Sequence, residues 1–214
     1  MATKISAATN LDSVQYQEQA ADPPTPASGY NQSWVATDKK HKTKGSDALV
    51  MIYTPVIAVQ TADATIANTI TETTLFGTVV GTLTLPASFL IAGRTIRITM
   101  RGHVSTTGTP NLTIRSKFGS TELVTTTAFN AGTLASIGWT WTCDITCRST
   151  GATGTVVASG TFAWNNGSQR NAVKTTTTTV DTTATQAVNV TAEWGTAAAA
   201  NTITAQLAQV EVLY

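Results

Sequence analysis

Acidic side chains are the main candidates for chemistry in this sequence, and they are few. Between residues 54 and 214 the acidic residues are Asp63, Glu72, Glu122, Asp144, Asp181, Glu193 and Glu211. Hydrolysis of a glycosidic bond needs two carboxyl groups about 5 to 10 Å apart. Because these residues are scattered along the chain, the sequence does not show which of them meet. Most are expected to be solvated.

Glu193 and Trp194 form the best candidate for a sugar contact. A carboxylate accepts hydrogen bonds from hydroxyl groups, and an aromatic face packs on the C–H surface of a sugar ring. The other interpretation is that Trp194 belongs to the core, where large aromatic side chains are mostly found. The sequence leaves both interpretations open.

The two cysteines, Cys143 and Cys147, lie in the segment "WTWTCDITCRS". On a helix this spacing would place both thiols on one face, as in a metal site. On a strand it separates their α-carbons by ~13 Å, beyond the ~7 Å limit for a disulfide. The alternating pattern around them favours the strand. We therefore predict two buried thiols that act as small hydrophobic groups and do not bond to each other.

Other catalytic patterns are missing from the sequence. His41 and His103 are far apart, and the cysteines and histidines have no metal-binding spacing. The chain contains neither a phosphate-binding P-loop nor a G-x-S-x-G segment. We expect no enzyme, no catalytic residue, no cofactor and no metal site.

The composition limits the partners. Charged residues make up 12% of the chain and the formal net charge is +1, so no global field attracts nucleic acid or anionic lipid. No apolar run approaches the ~20 residues that cross a bilayer, and "MATKISAATNLDSVQYQEQA" has no apolar core of a signal peptide. We expect neither a nucleic-acid nor a membrane partner, and synthesis in a cytoplasm.

Alternating segments predict the elements that carry these residues. In "RTIRITMRGHV", Ile96, Ile98 and Met100 share one face; in "LTIRSKFG", Arg115 and Lys117 face outward. A longer strand places Ile137, Trp139, Trp141, Cys143, Ile145 and Cys147 on one face. With about eight or more strands at the spacing typical of sandwiches, we predict an all-β antiparallel β-sandwich of jelly-roll type over residues 54–214.

Residues 1–53 read as a separate unit. Residues 1–29 have little periodicity and end in "DPPTPASG", which predicts an extended arm or linker. Tyr30 to Thr37 and Ala48 to Tyr53 are predicted strands of a β-hairpin, with "TDKKHKTKG" as its polar turn. Residues 1–47 contain five lysines and five acidic residues, so their charges balance. This balance favours a solvated hairpin tip over a nucleic-acid patch.

These segments together resemble bacteriophage virion appendage proteins of the capsid decoration or head-fibre type. The resemblance rests on "PPTPASGY", "DKKHKTKG", "TITETTLFGTVV" and "LTLPASFLIAGRTIRITMRGHVSTTGTPNLTIRSKFG". It implies a homotrimer on the capsid surface of the virion, fastened through residues 1–53 to the major capsid protein or another virion protein. The attachment residues would be Tyr30, Trp34 and Val35.

A second function remains open at this point: a receptor- or carbohydrate-binding module of a phage tail appendage, with a host-surface glycan as partner. The loops "STTGTP" and "STGATG" are short and contain no aromatic residue. Because sugar-binding loops usually offer planar aromatic surface, this observation favours the structural decoration protein.

Overall fold

The structure is a computed structural model that describes residues 18–19, 21, 24–25, 32–36, 41–44, 50–52, 56–76, 83–164 and 167–213. The chain divides into two compact units, Met1–Tyr53 and Thr54–Tyr214. All regular elements in the described ranges are strands, and none of these residues belongs to a helix that would span a membrane. The predicted all-β class is confirmed.

The first unit contains a four-stranded sheet. Its strands are β1 (Glu18–Gln19), β2 (Gln32–Ala36), β3 (His41–Lys44) and β4 (Val50–Ile52), in that order across the sheet. β1 joins β2 in parallel, and the other neighbours are antiparallel. The predicted arm thus contributes two residues to a sheet.

The predicted hairpin forms with a different second strand. β2 pairs with His41–Lys44, which the sequence placed in a turn, and β4 pairs with that strand instead of with β2. The lysine-rich segment has no apolar face to mark it as a strand. Ladder hydrogen bonds are made by the backbone, however, so a polar segment can pair as well as an apolar one.

The second unit has two antiparallel sheets, a large one and a small one. The large sheet has the order β15 (Ser168–Val173), β14 (Thr155–Trp164), β13 (Leu134–Ser149), β9 (Thr95–Thr106), β18 (Thr202–Val212) and β5 (Val56–Val59), while β16 (Thr178–Thr179) pairs with β14 and β6 (Ala64–Ala67) pairs with β18. The small sheet has the order β11 (Thr121–Thr125), β10 (Asn111–Phe118), β17 (Gln186–Trp194) and β7 (Thr73–Thr74), while β12 (Phe129–Asn130) pairs with β10 and β8 (Leu83–Leu85) pairs with β17.

The core lies between the two sheets. Alternate residues of β9, β10, β13 and β17 are buried, as the sequence predicted for Ile96, Ile98, Met100 and the tryptophan-rich strand. The intervening residues form the outer face of each sheet. This arrangement confirms the antiparallel β-sandwich.

A hydrogen bond from a tryptophan joins the two sheets across the core. The indole Nε1 of Trp141 on β13 donates to the hydroxyl of Ser116 on β10 at 3.1 Å, and both residues are completely buried. Gly160 on β14 makes room for the indole, because a methyl group there would lie 2.6 Å from its ring. Trp141, one of the largest core side chains, is thus fixed by a polar contact as well as by packing.

A β-bulge interrupts the alternation of β18. Its register against β9 shifts between Ala205 and Leu207, so that Ile203 and Ala205 face the core before the shift and Ala208 faces it afterwards. In "TITAQLAQVEVLY" the apolar pattern changes phase between Leu207 and Val210, which indicates a bulge, and the register shift against β9 lies just before that range. The bulge turns Leu207 to the outer face of the large sheet.

Gly102 on β9 lies opposite this bulge, with Ala205 as its partner in register. A methyl group at Gly102 would lie 1.8 Å from the carbonyl oxygen of Thr204. The backbone of β18 approaches too closely for any larger residue. The bulge in β18 therefore requires glycine at position 102.

Candidate functional site

The strongest grouping of charged side chains lies on the outer face of the small sheet. We refer to it as the Arg115 cluster. It consists of Glu72, Arg115, Lys117, Glu122 and Glu193. Arg115 and Lys117 alternate along β10, Glu193 stands on β17, Glu122 stands on β11, and Glu72 immediately precedes β7. Four adjacent segments of chain are thus joined by side chains.

Arg115 is the centre of the cluster. Its guanidinium lies 3.1 Å from Glu122, 2.6 Å from Glu193 and 3.7 Å from Glu72. The ammonium of Lys117 lies 2.8 Å from Glu72, which also accepts a hydrogen bond of 2.7 Å from the Thr191 hydroxyl. Each charged group therefore has a partner of opposite charge within the cluster.

The electrostatics keep Glu72 ionised. Partial burial raises the pKa of Glu72, but hydrogen bonds from Lys117 and Thr191, together with the charges of Lys117 and Arg115, outweigh that effect and place the pKa below its ordinary value. A general acid in glycoside hydrolysis needs a raised pKa. Glu72 is thus suited to ion pairing and unsuited to donating a proton.

The structure separates the two residues predicted to contact a sugar. Trp194 is completely buried, whereas Glu193 lies on the opposite face of β17 and pairs with Arg115. Neighbouring residues on a strand point to opposite sides of the sheet. The prediction that these two side chains form one sugar site is therefore wrong. Trp194 belongs to the core, which was the alternative interpretation.

The predicted attachment residues lie in the first unit. Tyr30 is outside the described residues, and for Val35 the described structure is limited to the backbone of β2. Trp34 is 1% exposed. Because its indole is buried, Trp34 cannot contact a capsid protein directly in this conformation.

The outer face of the large sheet has a different chemistry. Arg97 on β9 forms a bidentate ion pair with Asp144 on β13, in which two guanidinium nitrogens lie 2.7 and 2.8 Å from the two carboxylate oxygens. The two residues are opposite each other in register. Hydroxyl groups link neighbouring strands at 2.8 Å in three places: Thr95–Thr146, Thr65–Thr204 and Ser149–Thr155. These short polar contacts join adjacent strands.

The cysteines are free and buried, as predicted. Burial raises the pKa of Cys143 to about 12 and also raises the pKa of Cys147. The thiolate is the nucleophilic form of cysteine, so neither residue is activated. In the part of the chain that the structure describes, no cluster of three or more His, Cys, Asp or Glu residues is arranged to hold a metal ion.

Sequence reasoning missed the Arg115 cluster as a unit. The alternation of β10 predicted that Arg115 and Lys117 face outward, but their partners lie far along the chain. Arg115 and Glu193, for example, are 78 residues apart. The order of strands in the small sheet brings them together, and local periodicity carries no information about that order.

No protein-family model matches the chain, and no curated protein matches it. Among solved structures, the chain is similar to lectin I from Ulex europaeus in complex with the methyl glycoside of α-L-fucose. The identity is 9%, the match covers 86% of this chain and 91% of the lectin chain, and the TM-score is 0.28. A likeness at this level carries no argument about function.

Proposed function

We propose that the protein is a structural component of a bacteriophage virion, a homotrimeric knob that decorates or stabilises the capsid exterior without enzymatic activity. The observation that carries this proposal is the division of the chain into a small β unit, residues 1–53, and a separate β-sandwich. An anchor that fastens to the particle and a body that projects from it need this organisation.

The chemistry of the sandwich supports a structural role. The guanidinium of Arg115 forms ion pairs with three carboxylates on the small sheet. The Arg97–Asp144 pair joins two strands of the large sheet. Charges used in this way stabilise the sheets and are not directed at a substrate. A body built of paired polar groups and many threonines suits a protein that must persist on a particle surface.

A binding experiment tests the proposal. Purified protein is mixed with capsids that lack it, the capsids are sedimented, and the bound fraction is measured; bound protein is then located by electron microscopy. We expect saturable binding to the capsid shell. Binding to the tail alone, or retention on immobilised glycans with no capsid binding, would instead support the receptor-binding function.

The aromatic residues and lysines of the first unit provide matched variants for the same experiment. Trp34→Ala should weaken attachment strongly, because it removes a buried side chain from the anchoring unit. Replacing Lys39, Lys40, Lys42 and Lys44 by Gln should weaken it less, since the sequence predicts solvated lysines and solvated charges each contribute about 0–1 kcal/mol. The reverse ranking would identify the attachment as an electrostatic contact.

A further inference from the structure

Apolar side chains are exposed together at one place on the large sheet. The large hydrophobic residues exposed in the described ranges are Val56, Val59, Ile70, Ile91, Val173 and Leu207. Three of them, Val56, Val59 and Leu207, lie on the outer face of the adjacent strands β5 and β18, and we call them the valine–leucine patch. Single exposed apolar residues are ordinary, but a group on neighbouring strands marks a contact surface.

Two backbone irregularities create the patch. The β18 bulge turns Leu207 outward, and a second register shift, where β5 meets Val210 and Glu211, places both Val56 and Val59 outward although they are three residues apart. Strict alternation would have put residues three apart on opposite faces. Bulges re-aim side chains, so both irregularities direct apolar groups toward solvent.

Opposite charges flank the patch. Arg101 stands opposite Leu207 in register. Glu211 stands opposite Val56 on one side and Arg97 on the other, and the charge of Arg97 is balanced by its ion pair with Asp144. Arg101 is exposed and forms no ion pair with another described residue, while Glu211 accepts a hydrogen bond from Gln209 and is likewise without an ion pair in the described part of the chain. Leu207 and Glu211 are four residues apart on β18, which separates the cation and the anion by ~13 Å.

We infer that the valine–leucine patch is the surface on which copies of this chain associate, with Arg101 of one copy facing Glu211 of the next. The inference rests on the trimer proposed above and names its contact surface. A patch with a cation at one end and an anion at the other is complementary to a second copy of itself. In a head-to-tail contact the Arg101 end of one copy meets the Glu211 end of the next, so each copy keeps one end for a further copy, and a rotation of about 120° between copies closes three such contacts into a ring.

Leu207→Asp tests the patch in the full-length protein. We expect the native protein to have three times the 22.3 kDa mass of the chain in light scattering. Leu207→Asp should weaken association by about tenfold or more, because it places a charge within an apolar contact. Ile70→Asp is the matched control, since Ile70 is 60% exposed and lies outside the patch, and it should leave the mass unchanged.

Circular dichroism of each variant establishes that it is folded, and Leu207→Asn repeats the test with a milder change. A folded Leu207→Asp protein with the native mass overturns the inference while leaving the proposed function intact. A native dimer that Leu207→Asp dissociates supports the surface and overturns the trimer. A native protein that is monomeric at all concentrations overturns both.

Charge reversal tests the register between copies. Arg101→Glu and Glu211→Arg should each weaken association, because each brings like charges together. The double variant should recover native association, because it restores the opposite pair in the reverse order. If the double variant associates no better than the single variants, the Arg101–Glu211 contact is wrong.

Discussion

The two outer faces of the sandwich use their polar residues in opposite ways. On the small sheet, the Arg115 cluster connects four segments of chain, and each charge has a partner. On the large sheet, contacts run between pairs of strands, and Arg101 and the valine–leucine patch are left exposed. The small sheet pairs the charges of its outer face with one another, whereas the large sheet keeps an apolar patch and a cation exposed on its outer face.

The largest effect on this comparison is expected from Gly102→Ala. Its methyl group would collide with the Thr204 carbonyl, so β18 must move away from β9 or lose its bulge. We expect a loss of about 3 kcal/mol in the free energy of unfolding, the upper range for overpacking. Urea unfolding followed by tryptophan fluorescence measures it.

Gly138→Ala on the neighbouring strand β13 is the control for this change. The nearest atom to a methyl group there, the Gly102 carbonyl oxygen, is 4.0 Å away, which is an ordinary contact. If the two alanine variants are equally stable, the close approach at the bulge is not a constraint on the fold. The outward position of Leu207 would then need another explanation.

Arg115→Met should have the next largest effect. It leaves three carboxylates near one another with Lys117 as the remaining cation of the cluster. Because the Arg115 side chain is 20% exposed, we expect a loss of ~2 kcal/mol, between the values for exposed and buried pairs. Chemical denaturation at low salt measures this loss. A loss no larger than that of an isolated surface pair would show that the cluster is a set of independent contacts.

Glu72 makes the same face sensitive to acid. Its pKa is lowered in the folded protein, so its contribution is fully present above its ordinary pKa of 4.5 and is lost as the pH falls through the folded-state value. We expect Glu72→Gln to cost about 1 kcal/mol at neutral pH and progressively less below pH 4.5. Unfolding titrations at a series of pH values test this prediction.

Lys117→Met provides the second arm of that experiment. Removing the cation takes away both a hydrogen bond and a charge that lower the pKa of Glu72. The part of the acid-induced loss of stability that comes from Glu72 should therefore be smaller than in the native protein and should end at a higher pH. An unchanged acid profile would mean that the ion pair between Lys117 and Glu72 does not form when the protein is in solution.

Asp144→Asn should have the smallest effect, on the large sheet. The Arg97–Asp144 pair is well formed, but both side chains are about 40% exposed and the contact joins only two strands. We expect a loss of at most about 1 kcal/mol, smaller than that of Arg115→Met. Equal losses from these two variants, measured under identical conditions, would remove the distinction between a cluster that joins four segments and a contact that joins two strands.

The strands were predictable where their residues carry a strict two-residue period. The buried side of β9, β10 and β13 follows from the alternation of Ile96, Trp141 and their neighbours, because that signal is local. The sequence did not reveal β3, because His41–Lys44 has no apolar residue to indicate a face.

The two surfaces were not predictable, for a different reason. Glu193 was identified as a candidate, but its partner Arg115 depends on which strands are neighbours in the small sheet. The valine–leucine patch depends on bulges, and a bulge reverses the side to which every later residue of a strand points. Both properties are decided by contacts between distant segments.

The position of β18 also governs when the large sheet is completed during synthesis. β5 and β6 both pair with β18, and Thr65 and Thr204 are 139 residues apart. At a translation rate of about 5–20 residues per second, the earlier strands leave the ribosome on the order of 10 s before their partner. Leu207 lies on β18 and therefore leaves the ribosome together with that strand. A nascent chain therefore acquires the valine–leucine patch at the step that closes its own sheet, so each copy must fold before it can be recognised by another through this surface.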